Sequence, residues 1–123
     1  MDANSRFDLE ERLLDYAANI VRVAESIRVS PAGTHVANQM LRSGTSVLPN
    51  HGEAQAAESN ADFIHKLSIC LKELRETRRW LRLIHRVPLI AKPDAVLPLL
   101  AETEELIRIF FSSLKTARKK GTK

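Results

Sequence analysis

A chain of 123 residues with four glycines, five prolines and 44% apolar residues is long enough to bury one core and too short for two. Its 28% charge is the balance of a globular, helix-leaning protein, and apolar runs such as "VLPLLA" are far too short to span a bilayer. The net charge of +4 is uneven. Residues 1–60 hold five basic residues against eight acids, and residues 61–123 hold fourteen against seven.

That asymmetry points the basic half either toward the acidic half, of the same subunit or a neighbour, or toward an anion such as nucleic acid. The opening "MDANSRFDLEERLLDYAANI" is acidic and lacks the basic start of a secretory signal. A lone Cys70 rules out an internal disulfide and fits a reducing compartment, so the expected location is cytoplasmic. With Leu67, Leu71 and Leu74 around it at helical spacing, Cys70 reads as a packed core thiol rather than a reactive one.

Four helices are predicted, at about 7–28, 31–57, 60–87 and 94–118, in a single domain covering 1–123. In the first, Leu9, Leu13, Tyr16, Ile20, Val23 and Ile27 recur at spacings of 4, 3, 4, 3 and 4, one narrow apolar stripe. At "RVSPAG", Ser30 is placed to cap the second helix with Pro31 as its first residue.

The second segment contains "LRSGTSVLPNHGEA", whose glycines and proline read as a loop. Phase argues otherwise. Val36, Met40, Val47 and Ala54 fall within about 40° of one another if one helix runs straight through. Gly44 costs such a helix about 1 kcal/mol and an interior proline about 3 kcal/mol. Pro49 also frees the Thr45 carbonyl, so the expectation is a continuous helix with a kink.

Ser59 followed by Asp62 opens the third helix in the manner of a capping box, and Pro88 closes it. For the fourth, Asp94 as cap puts Pro98 at the fourth helical position, with Leu99, Leu106, Phe110 and Leu114 on the buried face. The basic tail 115–123, "KTARKKGTK", is expected to fray. Short connections between helices imply an all-α, antiparallel, up-down-up-down four-helix bundle.

No motif announces a reaction. Di-iron bundles need Glu-x-x-His on two helices and two further carboxylates. Here "DFIH" supplies Asp62 and His65 once, and His51 and Glu53 stand at i,i+2, pointing apart. His35 and His85 have no carboxylate at i±3 or i±4. "SGTSVLPNHG" matches neither GxxxxGK[ST] nor GxGxxG, and no strand precedes it. Ser43, Ser46 and Cys70 have no base at a spacing that marks a nucleophile. We expect no enzyme, no cofactor, no metal and no small-molecule substrate.

Three surface patterns stand out. Arg42, Ser46, Asn50 and Glu53 form one polar stripe on the second helix, beside the apolar one, and Ser43 interrupts the apolar stripe itself. We read this stripe as a helix–helix seam, where small residues allow close approach and hydrogen bonds set register. A hairpin turning near residues 58–59 brings Arg42 level with Glu76. On the third helix Ile69, Trp80 and Leu83, broken by Glu73 and Glu76, point more than about 100° from the main stripe of Phe63, Leu67, Leu71, Leu74 and Leu81. With Leu41 and Leu48 on a side face of the second helix, they are candidate contacts for self-association. Arg75, Arg79, Arg82 and Arg86 recur at 4, 3 and 4 and, with Arg118, Lys119 and Lys120, could follow a phosphate backbone. One Trp and one Tyr make a poor base-stacking platform.

The motif "LRSGTSVLPNHGEA", followed by "AAESNADFIHKL" and "KELRETRRWLRLI", resembles the bacterial four-helix proteins known as 23S rRNA-intervening sequence proteins, relatives of the accessory variability determinant of diversity-generating retroelements. The resemblance runs from about Phe7 to Lys115 and rests on Arg42, Ser46, Asn50, Glu53 and Ala54, then Phe63, Lys72, Glu73, Leu74 and Glu76. Where this chain has His51 and Gly52, other members often carry a small or aliphatic pair. The resemblance implies a homopentameric ring without catalytic activity. Some members lie in reading frames inserted in ribosomal RNA genes, so the family name marks a location rather than a function. The retroelement relative implies binding of nucleic acid through a basic surface. The expectation is therefore a self-assembling scaffold or adaptor, with a nucleic-acid-binding accessory factor as its rival.

Overall fold

The computed structural model describes residues 3–121, with side chains from Asp8 onward. Four helices follow one another: α1 (Ala3–Ser26), α2 (Pro31–Gln55), α3 (Asn60–Arg86) and α4 (Leu97–Gly121), with a single 3-10 turn over Pro93–Val96 ahead of α4. There is no strand among the described residues. Each helix packs on the next in sequence, and α4 returns to α1 with the sparsest contact of the four seams.

The caps are local chemistry. The Ser30 hydroxyl accepts from Gly33 N–H at 2.9 Å and Pro31 occupies the first turn, where its missing N–H costs nothing. Gly33 is required there, since a Cβ would lie 2.0 Å from the Arg28 carbonyl. The Ser59 hydroxyl accepts from Asp62 N–H at 3.0 Å, starting α3. Helix α2 passes through Pro49 without a break. Beside the Thr45 carbonyl that Pro49 leaves without a donor, the Asn50 side chain donates to Ser46 O at 2.9 Å.

Two boundaries differ from expectation. Helix α4 begins at Leu97, not after Asp94. The preceding residues form the 3-10 turn, and Pro98 falls in the first α-helical turn, where no N–H is needed. The basic tail does not fray within the described residues, and α4 continues to Gly121. Asn60 Nδ2 donates to Ala117 O at 3.0 Å, Ala117 is buried, and Arg118, Lys119 and Lys120 sit at the negative end of the helix dipole. Thr122 and Lys123 of the expected tail lie outside the described residues.

The core draws on every helix: Leu13, Tyr16 and Ile20; Met40 and Val47; Leu74, Leu81 and Ile84; Leu106, Phe110 and Leu114, each at most 2% exposed. Cys70 belongs to it, fully buried, its Sγ donating to Val47 O at 3.8 Å. Burial pushes its thiol up to about 12, which keeps it protonated and unreactive at neutral pH. Four hydroxyls inside the core are paired across seams. Thr103 donates to Leu99 O and receives the Tyr16 hydroxyl at 2.7 Å, while Thr77 donates to Glu73 O and receives Ser43 Oγ at 2.8 Å. Burial raises the Tyr16 phenol pKa, fixing it as a hydrogen-bond donor.

Candidate functional site

The polar stripe of α2 faces α3. Arg42 reaches two carboxylates at once, Nη1 to Glu73 at 3.2 Å and Nη2 to Glu76 at 2.5 Å. Ser46 Oγ lies 3.3 Å from the same Glu73 oxygen, and Lys66 Nζ is 2.8 Å from Glu53. Trp80 Nε1 donates to Glu76 at 3.2 Å, and His35 meets the Trp80 ring edge-on, centroids 6.0 Å apart. Glu73 is 8% exposed, so its charge depends on Arg42 and Ser46 for compensation. Arg42, Ser46, Glu53, Glu73 and Glu76 thus span the α2–α3 seam. Asn50 is turned back on its own helix. These groups satisfy one another, which is structural chemistry, and no base–nucleophile pair is among them.

The apolar candidates fall on two separate strips. Gly44 lies against Ile20 of α1, where a Cβ would come within 2.8 Å of three Ile20 atoms. Leu41 and Leu48, at i−3 and i+4 from Gly44, share that side of α2. Leu41 is 36% exposed, and Leu48 packs partly on the core. Trp80, Ile69 and Leu83 flank the other side of α2, along the α3 seam. Of these Leu83 is 41% exposed, Ile69 is half-buried, and Trp80 is half-buried at the rim of the core. Trp80 is thus less open than its position on the helix suggested, because His35 and Glu76 close over it.

A third strip went unread in the sequence. Glu11, Leu14, Ala18, Val21 and Glu25 recur at 3, 4, 3 and 4 on α1, with Leu14 49% and Val21 38% exposed between exposed acids. The spacing was available, but the buried stripe of α1 dominates the pattern.

The arginine row Arg75, Arg79, Arg82 and Arg86 is exposed on the outer face of α3. Arg75 and Arg79 join Lys72 and Arg118 around a groove of about 290 Å³ between α3 and α4. None of these six is in an ion pair among the described residues. Lys119 is exposed in the same last turn as Arg118, whereas Lys120 lines a different cavity.

That cavity, about 560 Å³, opens where the start of α1, the end of α2, the start of α3 and the end of α4 come together. Leu9, Phe63, Leu67 and Phe110 form its apolar wall. His51 is in the lining, 2% exposed, its ring edge-on to Phe110 at 6.0 Å between centroids. Its Nδ1 is buried without a hydrogen-bond partner, and burial lowers its pKa. The sequence marked His51 as a family departure and, with Glu53, as a poorly spaced metal pair; its burial in this cavity depends on four helix ends meeting.

Among the described residues no three His, Cys, Asp or Glu side chains gather to hold a metal. His85 does find a carboxylate, Asp94 at 2.9 Å, across the α3–α4 connection rather than along its helix. No helix among the described residues is long and apolar enough to cross a membrane.

Comparison with known proteins places this geometry. The family model for the 23S rRNA-intervening sequence protein matches residues 7–112. Among solved structures, a protein of unknown function from the S23 ribosomal protein family of Bacteroides thetaiotaomicron is 34% identical. The match covers 86% of this chain and 97% of that one, with a TM-score of 0.78. No curated protein matches the chain. Neither of the two matching descriptions names a reaction.

Proposed function

The chain belongs to the 23S rRNA-intervening sequence protein family, and from that premise we propose that it is a non-enzymatic, self-assembling scaffold or adaptor, a cytoplasmic homopentamer. The observation that carries this reading is a pair of complementary stripes that one subunit cannot bring together. The α1 stripe offers Leu14 and Val21 between Glu11 and Glu25, and the α3 stripe offers Arg75, Arg79, Arg82 and Arg86. Helices α1 and α3 are diagonal in the bundle, with no seam between them. Joining α1 of one copy to α3 of the next uses two different patches, a head-to-tail contact that ends only when a ring closes. The count of five follows from the family resemblance. Exposed Leu41 and Leu83 extend the apolar area beside the two stripes.

A charge-swap experiment tests it. Arg75→Glu with Arg79→Glu is expected to reduce the assembly to single chains in sedimentation velocity. Adding Glu11→Arg and Glu25→Arg is expected to restore it. Assembly that ignores both changes contradicts the reading.

A second reading has its own observation, the groove in which Lys72, Arg75, Arg79 and Arg118 stand together without ion-pair partners among the described residues. Such a cluster suits a phosphate backbone, whose binding weakens steeply with salt. An RNA hairpin titrated at low and moderate salt measures this. Binding lost in the Arg75→Glu, Arg79→Glu, Arg82→Glu variant and not regained through α1 favours nucleic acid. No binding at low salt removes that reading.

A further inference from the structure

The groove between α3 and α4 gathers positive charge without compensation. Lys72, Arg75 and Arg79 stand at i, i+3 and i+7 on α3, over about 10 Å of helix. Arg118 lines the groove from the last turn of α4, with the buried Leu71 and Leu114 and the half-buried Ser68 beside them. No Asp or Glu lines it among the described residues, and none of the four cations is in an ion pair there. The acids closest along α3, Glu73 and Glu76, are both held by Arg42 of α2. Helix α4 has no acid after Glu105. Arg79 Nη1 donates to Arg75 O at 3.4 Å, a contact that neutralises nothing. Like charges one turn apart destabilise a helix, and an anion that bridges them removes that penalty.

Geometry narrows the class of anion. Each guanidinium presents a planar fork that takes two phosphate oxygens, and the ammonium of Lys72 adds a compact charge. Orthophosphate is too small to engage cations spread over two helical turns and a second helix. A chain of linked phosphates carries charge along its length and follows such a row. The volume, about 290 Å³, lies at the small end of ligand sites. The arginine row as a whole is not the site: Arg82 and Arg86 share its exposed face and do not line the groove.

We propose that this groove binds a short polyphosphate chain, inorganic or the triphosphate of a nucleotide, its oxygens accepting from Lys72, Arg75, Arg79 and Arg118. This assignment rests on the same unpaired cations as the nucleic-acid reading and names a compact ligand, so each can fail alone. Arg75 and Arg79 also belong to the proposed subunit contact, where a neighbour's acids would compete for them. Arg118 does not, and its loss reads the groove alone.

Calorimetric titration of the full chain with sodium tripolyphosphate is the test, at about 0.15 M salt and without divalent cations. Orthophosphate and ATP are the comparisons, and a Glu11→Gln, Glu25→Gln chain, in which no neighbour's acids compete, is titrated alongside. Tripolyphosphate is expected to saturate one site per chain, about tenfold tighter than orthophosphate. ATP binding as tightly identifies a nucleotide as the source of the chain, and weaker ATP binding an inorganic one; both support the site. Binding in the glutamine chain alone also supports it and shows that neighbour and ligand compete. Arg118→Gln is expected to weaken tripolyphosphate about fivefold. Arg86→Gln removes the same charge from the same basic surface outside the groove and should change binding by less than about twofold. Equal losses in these two variants would reveal diffuse attraction to a basic face and overturn the proposal. So would equal affinity for orthophosphate, or no saturation of either chain by millimolar tripolyphosphate. An RNA hairpin that binds where tripolyphosphate does not sinks the polyphosphate site and leaves the nucleic-acid reading standing.

Discussion

Arg42 bridges two carboxylates, and the nearly buried Glu73 is the one that depends on it. Arg42→Ala leaves Glu73 with Ser46 alone, and a loss of about 1–2 kcal/mol is expected in urea unfolding, since Arg42 itself is partly exposed. Arg42→Lys should recover less than half of this, because a single ammonium does not span both acids as the guanidinium fork does. His51 makes stability depend on pH. Its folded-state pKa lies below the ordinary histidine value, first through burial, with Glu10 pulling partly back. As pH falls below about 6.5, the unfolded chain takes up the proton before the folded one does. Stability therefore decreases with falling pH until His51 also titrates in the fold. Unfolding midpoints between pH 7.5 and pH 5 should fall more steeply for the unmodified chain than for His51→Phe. Identical slopes would show that His51 is not held neutral.

At the scale of the helices, the α1–α2 seam is set by Gly44. Alanine is the better helix former by about 1 kcal/mol, yet its Cβ would meet Ile20 at 2.8 Å. Gly44→Ala is expected to destabilise by about 1–3 kcal/mol through overpacking. Trimming the neighbour with Ile20→Val should recover part of that loss, and thermal melts of the two single variants and the double variant measure the coupling. The same stretch shows why helices were legible here. The phase of Val36, Met40, Val47 and Ala54 survives two glycines and a proline, so periodicity outweighed punctuation, and α2 runs from Pro31 to Gln55. Ser30 and Ser59 announced their caps because a cap is a contact of three residues. The start of α4 was less readable. Proline suits a 3-10 turn and a first α-turn equally, and "KPDAVLP" contains two of them. The C-terminal end of α4 was missed for another reason: Asn60, more than fifty residues away, holds its last turns.

For the whole molecule, the distinction is between contacts along a helix and contacts across the bundle. Hairpin register alone set Arg42 level with Glu76, and the facing of α2 on α3 brings them into an ion pair. The partners of Trp80, the separation of Leu41 from Leu83 by the ridge of α2, and the cavity around His51 depend on which faces meet, and a single sequence does not carry that. Assembly belongs to this scale. Glu53 and Lys66 pair within one subunit, but the acids of the α1 strip and the arginine row of α3 lie on surfaces that do not meet there, so their proposed counterpart is another copy. Multi-angle light scattering on the purified protein at micromolar concentration tests this most directly. The account predicts a particle of about five times the 13.8 kDa chain mass, unchanged on dilution. A particle of 13.8 kDa under the same conditions would contradict it.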